Sequence, residues 1–67
     1  MIKKYSVKIA DHATSISLEE EFFAALKELA AREKIALHAL LTKIDAASAG
    51  GNLSSAVRVY VLRALKS

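Results

Sequence analysis

The chain has 67 residues, ten Lys and Arg against seven Asp and Glu, a net charge of +3 and an isoelectric point near 9.5. It has no Cys and two His, which excludes a disulfide framework, a thiolate metal site and a structural zinc site. The mildly basic balance permits a nucleic-acid partner without requiring one, and 54% hydrophobic residues in one domain this small point to burial in an oligomer.

Charge is unevenly spread. Residues 1–18 carry +2, residues 19–33 carry −3, residues 34–51 carry +1, and the tail from Asn52 carries +3. No apolar run approaches the roughly 18 residues of a membrane span. Lys3 and Lys4 precede no uninterrupted apolar segment, so a signal peptide is not expected and a cytoplasmic protein is. There is no Pro, and the chain reads as a single domain.

The first element expected is a strand over about residues 3–10. Tyr5, Val7 and Ile9 form one face; Lys4, Ser6 and Lys8 form the other. Asp11-His12 is the expected two-residue turn, although neither is Gly. That turn would place Ile9 opposite Thr14, Val7 opposite Ile16 and Tyr5 opposite Leu18. Lys8 would then face Ser15, and Ser6 would face Ser17. Apolar meets apolar and polar meets polar, an agreement that a one-residue slip destroys. The second strand, about residues 13–18, alternates apolar and hydroxyl side chains through Thr14-Ser15-Ile16-Ser17-Leu18.

At Phe22 the period changes. Phe22, Ala25, Leu26, Leu29 and Ala30 recur at three- and four-residue steps, as one face of a helix over about residues 20–33. Glu19, Glu20 and Glu21 suit the positive end of its dipole. Lys27, Glu28, Ala31 and Arg32 form its wet side, and Phe23, at the edge of the apolar arc, is placed to reach a partner chain. A second helix is expected over about residues 37–47. Leu37, Leu40, Leu41 and Ile44 share a face; His38, Ala39, Thr42, Lys43 and Asp45 look outward. Ser48-Ala49-Gly50-Gly51 reads as a helix stop and joint.

Asn52 or Ser54 caps a third helix over about residues 54–66. The alternating run Val57 to Leu62 is also compatible with a strand; the cap and the flanking Ala56, Ala64, Leu65 and Lys66 favour the helix. Val59 and Leu62 fall within the arc of Arg58, Arg63 and Lys66, so this helix is apolar nearly all round and calls for burial on more than one side.

No catalytic constellation is present: no nucleophile elbow, no phosphate-cradling Gly loop, no metal-ligand spacing. His38 and Asp45, seven apart, read as surface residues, and His12 as a turn residue. The chain is therefore read as a non-enzyme without a cofactor.

A short strand running straight into "EEEFFAALKELA", then a turn and a second helix, resembles the ribbon-helix-helix family of small DNA-binding proteins. The match covers Thr14 to about Ala47. "TSISLE" and "GNLSSA" resemble most closely a short bacterial subgroup. The resemblance implies a mostly helical α+β fold, a ribbon-helix-helix homodimer with an N-terminal hairpin or arm and an extra C-terminal helix. It implies a dimeric transcriptional repressor that inserts a β-ribbon in the major groove.

Carried over by position, the base-facing residues are Ala13, Ser15 and Ser17. All are small, so Lys4, Ser6 and Lys8 on the same face are expected to share the readout. Phosphate would be held near the start of the second helix, by Lys34, His38 and Lys43, with Ala36 in place of the usual hydroxyl cap. Ile16, Leu18, Phe22, Phe23, Leu40, Leu41, Ile44, Val57, Tyr60 and Val61 are the expected dimer interface. Two points stay open. Residues 54–66, rather than 37–48, could be the family's second helix. Two paired hairpins would also give four strands, at about 4.8 Å each too wide to lie flat in the groove. The second functional reading is a protein-interaction module, such as an antitoxin-like partner, using the apolar last helix.

Overall fold

The computed structural model describes residues 1–48 and 51–66. Its order is β1 (Ile2–Ile9), β2 (His12–Glu19), α1 (Glu20–Arg32), α2 (Leu37–Ala47) and α3 (Leu53–Lys66). The two strands form an antiparallel hairpin within one chain, so the N-terminal strand joins the sheet. Ala49 and Gly50, half of the expected Gly joint, lie outside the described residues.

The hairpin corrects the expected register by two residues. Ile9 pairs with His12, Val7 with Thr14, Tyr5 with Ile16 and Lys3 with Leu18. The loop is Ala10-Asp11, and His12 is the first residue of β2 rather than part of the turn. Ala10 takes the left-handed conformation, φ 54°, that a tight hairpin loop requires. Its N–H donates to Thr42 Oγ1 at 2.9 Å, and Thr42 Oγ1 donates to the His38 carbonyl at 2.8 Å. A helix side chain thus holds the turn, which no alternation in the strands encodes. Thr42, expected to look outward, is half-buried beneath this loop. A slip of two keeps every side chain on its expected face.

One core joins all five elements. The hairpin supplies Ile9, Ile16 and Leu18; α1 supplies Leu26 and Ala30; α2 supplies Leu40, Leu41 and Ile44; α3 supplies Val57 and Val61. No polar side chain is buried among the described residues. The alternating valines resolve by helical geometry. Val57 and Val61, four apart, share the buried face, while Val59 between them points out and is 44% exposed. Of the residues expected at a dimer interface, Ile16, Leu18, Leu40, Leu41, Ile44, Val57 and Val61 are covered by their own chain. Phe22, Phe23 and Tyr60 are half-buried. Phe23, expected to reach a partner, stacks on Tyr5 of its own chain with centroids 3.8 Å apart, and Lys27 Nζ lies 5.5 Å from its ring.

Helix ends are closed by local devices. Asn52 caps α3, its Oδ1 accepting the Ser55 N–H at 3.1 Å. Ser54 instead reaches the hairpin, where its Oγ accepts the Ser17 N–H at 3.3 Å. At the end of α1, Ile35 N–H reaches the Ala30 carbonyl and Lys34 N–H the Ala31 carbonyl, with Lys34 left-handed at φ 58°. This is a Schellman closure with Lys where Gly is usual. Lys34→Gly should therefore stabilise the fold. Relief of about 1–2 kcal/mol of left-handed strain exceeds the roughly 0.4–1 kcal/mol of added unfolded-state entropy. A thermal melt should show a Tm higher by a few degrees; a lower Tm would refute the closure.

Candidate nucleic-acid interface

The outward face of the hairpin is a two-by-three array. Lys4 stands opposite Ser17, Ser6 opposite Ser15 and Lys8 opposite Ala13, and all six are exposed. The alternation that buries Ile16 and Leu18 turns these side chains to solvent. The array holds two cations and no carboxylate. Among the described residues, neither Lys4 nor Lys8 has an ion-pair partner.

Carboxylates near the open end of the hairpin are engaged elsewhere. Glu19 Oε1 meets Arg58 Nε at 2.9 Å, a long-range pair that ties the start of α1 to α3. Backbone hydrogen bonding, and then Arg58, hold the Glu19 carboxyl below its ordinary range. Glu20 pairs with Lys3 on the opposite, inward-facing row of β1. Their mutual hydrogen bond lowers the Glu20 pKa and raises that of Lys3. These partners pair the charges of Glu19 and Glu20 with cations outside the array.

The proposed phosphate group is assembled only in part. Ala36, extended at φ −69°, ψ 152°, begins α2 without a side-chain cap, and no acid lies in the first turn. His38 is exposed there, and the Thr42 link places its turn of α2 against the hairpin tip. Lys43 Nζ is 3.5 Å from Glu33 Oε1, a loose and exposed pair that costs little to exchange for a phosphate. Lys34 is exposed in the connection.

Glu33 also accepts the Tyr60 hydroxyl on Oε2. That hydrogen bond, then burial and the Glu33 charge, push the Tyr60 pKa up to about 12, from an ordinary 10. The same bond lowers the Glu33 pKa. Tyr60 is raised in the folded state, so its contribution to stability is complete below about pH 10 and fades as pH climbs toward 12. Glu33 is lowered, so its contribution is present above about pH 4.5 and fades as pH falls below that. In an ultraviolet titration the Tyr60 phenolate should form near pH 12, and Glu33→Gln should move that midpoint down. An unmoved midpoint would break the link.

Sequence reasoning missed Thr42, Ser54, Arg58 and Tyr60 as linking residues. The signal open to it was weak: Thr42 lies four after His38, the spacing of a helical hydroxyl bonded to its own backbone. It also missed a cleft of about 280 Å³ between α2 and α3, lined by Ile44, Ala56, Val59, Tyr60 and Arg63 among others.

A family model described as a ribbon-helix-helix domain matches residues 2–65. No curated protein and no solved structure matches the chain.

Proposed function

The chain belongs to the ribbon-helix-helix family, whose members generally bind DNA as transcription regulators, and from that premise we propose that it is a homodimeric, sequence-specific repressor of the cytoplasm. The observation that carries this reading is the hairpin face with Lys4 and Lys8 and no acid. A two-stranded ribbon fits the major groove and turns its outward side chains to base edges. Ser6, Ser15 and Ser17 hydroxyls bond base edges or phosphates, Ala13 meets a thymine methyl, and Lys34, His38 and Lys43 hold backbone phosphates. The protein works without a cofactor and is not an enzyme.

Dimerisation draws support from surface left over after folding. The chain exposes 4571 Å², against roughly 4,100 Å² expected of a monomer of its mass. Val59, Leu62 and Leu65 are 44%, 51% and 71% exposed on α3. The same stripe favours the second reading, a partner-binding module, and salt separates the two. Binding through phosphates weakens steeply with salt, and a helix-in-groove contact does not.

The test is a titration of random-sequence DNA duplexes at several salt concentrations, with circular dichroism as the folding control. Lys8→Ala should lower the salt slope by about one. Ser15→Ala and Ser17→Ala should change sequence preference more than slope. All three side chains are exposed, so the fold should persist. Absent or salt-insensitive binding by the wild-type chain would reject the DNA reading.

A further inference from the structure

We propose that Glu33 is a built-in competitor for Lys43, opposing its contact with DNA phosphate, and that the Tyr60 hydroxyl moderates this competition by sharing the carboxylate. This rests on the reading above, in which Lys43 holds a backbone phosphate.

Glu33 closes α1, its N–H donating to the Leu29 carbonyl at 3.0 Å. A carboxylate at that end of a helix opposes the dipole, so helix formation does not account for it. Its partners do. The two carboxylate oxygens are divided between the other helices. Oε2 accepts the Tyr60 hydroxyl of α3, and Oε1 faces Lys43 Nζ of α2. The contacts are unequal. Tyr60 is half-buried and makes the shorter one. Lys43 stands 3.5 Å away, its side chain 68% exposed, beyond the reach of about 2.7–2.9 Å that marks a well-formed charge-assisted bond. The Glu33 field therefore holds this ammonium more than a directed bond does, and a phosphate offers it a second anion. Lys34 and His38, the other phosphate candidates, have no carboxylate partner among the described residues. The competition falls on Lys43 alone.

The Tyr60 bond sets its strength. A carboxylate that accepts a hydroxyl has part of its charge engaged, and it keeps that partner when Lys43 leaves. Exchange of Glu33 for phosphate then strands no group. Without the hydroxyl, Lys43 is the remaining side-chain partner and is held harder. The two residues of one hydrogen bond should thus shift DNA binding in opposite directions, which a merely structural role does not do.

The test titrates a random-sequence duplex at 0.1 M salt, with circular dichroism as the folding control. Glu33→Gln should bind tighter than wild type by about two- to fivefold, the most an exposed pair carries. Glu28→Gln removes the same charge from an exposed side chain of α1 with no ion pair among the described residues, and it should change binding less. Tyr60→Phe should bind about twofold weaker. Both effects should vanish when Lys43→Ala is added. Shifts in the same direction, shifts that persist with Lys43→Ala, or a Glu33→Gln effect no larger than that of Glu28→Gln would overturn the proposal. If Tyr60→Phe does not fold, the Glu33→Gln and Lys43→Ala cycle decides alone; if Glu33→Gln does not fold, the Tyr60→Phe cycle decides. Wild-type affinity in Lys43→Ala overturns the proposal and leaves DNA binding standing. Failure of the wild-type chain to bind any duplex rejects instead the reading on which the proposal stands.

Discussion

Val61→Asp should leave the chain unfolded at 25 °C. Val61 is 1% exposed and Val57, one turn earlier, 0%. No cation is buried near them, since the core of the described residues holds no polar side chain. An unpaired carboxylate there costs several kcal/mol. A domain of this size has a total stability of only about 3–5 kcal/mol. The substitution therefore removes most or all of it, and deleting residues 52–67 should do the same. Circular dichroism and a thermal melt provide the readout. Val59→Asp is the control: its side chain stands on the opposite arc, 44% exposed, and the fold should survive. A cooperative melt at the wild-type Tm in Val61→Asp would show that α3 is peripheral to the core. The control also informs on assembly. If the stripe of Val59, Leu62 and Leu65 meets a second copy, folded Val59→Asp should dissociate in equilibrium sedimentation.

Reversing both ribbon cations, Lys4→Glu with Lys8→Glu, should weaken duplex binding by at least about a hundredfold at 0.1 M salt. Each lost phosphate contact costs close to tenfold there, from a salt slope of about 0.9 per contact, and the new carboxylates add repulsion. Both side chains are exposed and neither has an ion-pair partner among the described residues, so the melt should change little. The same reversal at Lys43 gives a graded comparison. Lys43 is one phosphate candidate of three and lies 3.5 Å from Glu33, so its loss should cost about tenfold. Unchanged affinity in the folded double variant would remove the ribbon from DNA binding and turn attention to α3.

The periodicities of the chain determined a good deal by themselves. Alternation placed Tyr5, Val7, Ile9, Ile16 and Leu18 on one face and Lys4, Ser6, Lys8, Ser15 and Ser17 on the other. Those assignments survive the two-residue error in register, because a side-chain period of two is blind to even slips. The three-and-four spacing located α1 and α2 closely, with α2 at residues 37–47 as expected. The resemblance carried by "TSISLE" and the helix after it agreed with the family.

Tertiary structure decided what depends on residues far apart in the chain. The loop is Ala10-Asp11, with Thr42, thirty-two residues on, holding the Ala10 amide. Asn52 rather than Ser54 caps α3, while the Ser54 hydroxyl meets a strand amide thirty-seven residues away. Glu19 meets Arg58, and Phe23 stacks on Tyr5 of its own chain. Whether β1 was an arm or a strand, and whether α3 closed its own core or another chain's, were undecided for the same reason. Local periodicity reports which side of an element is apolar, through forces that act within a turn or a pleat. Only packing in three dimensions decides which apolar side or polar atom lies against it.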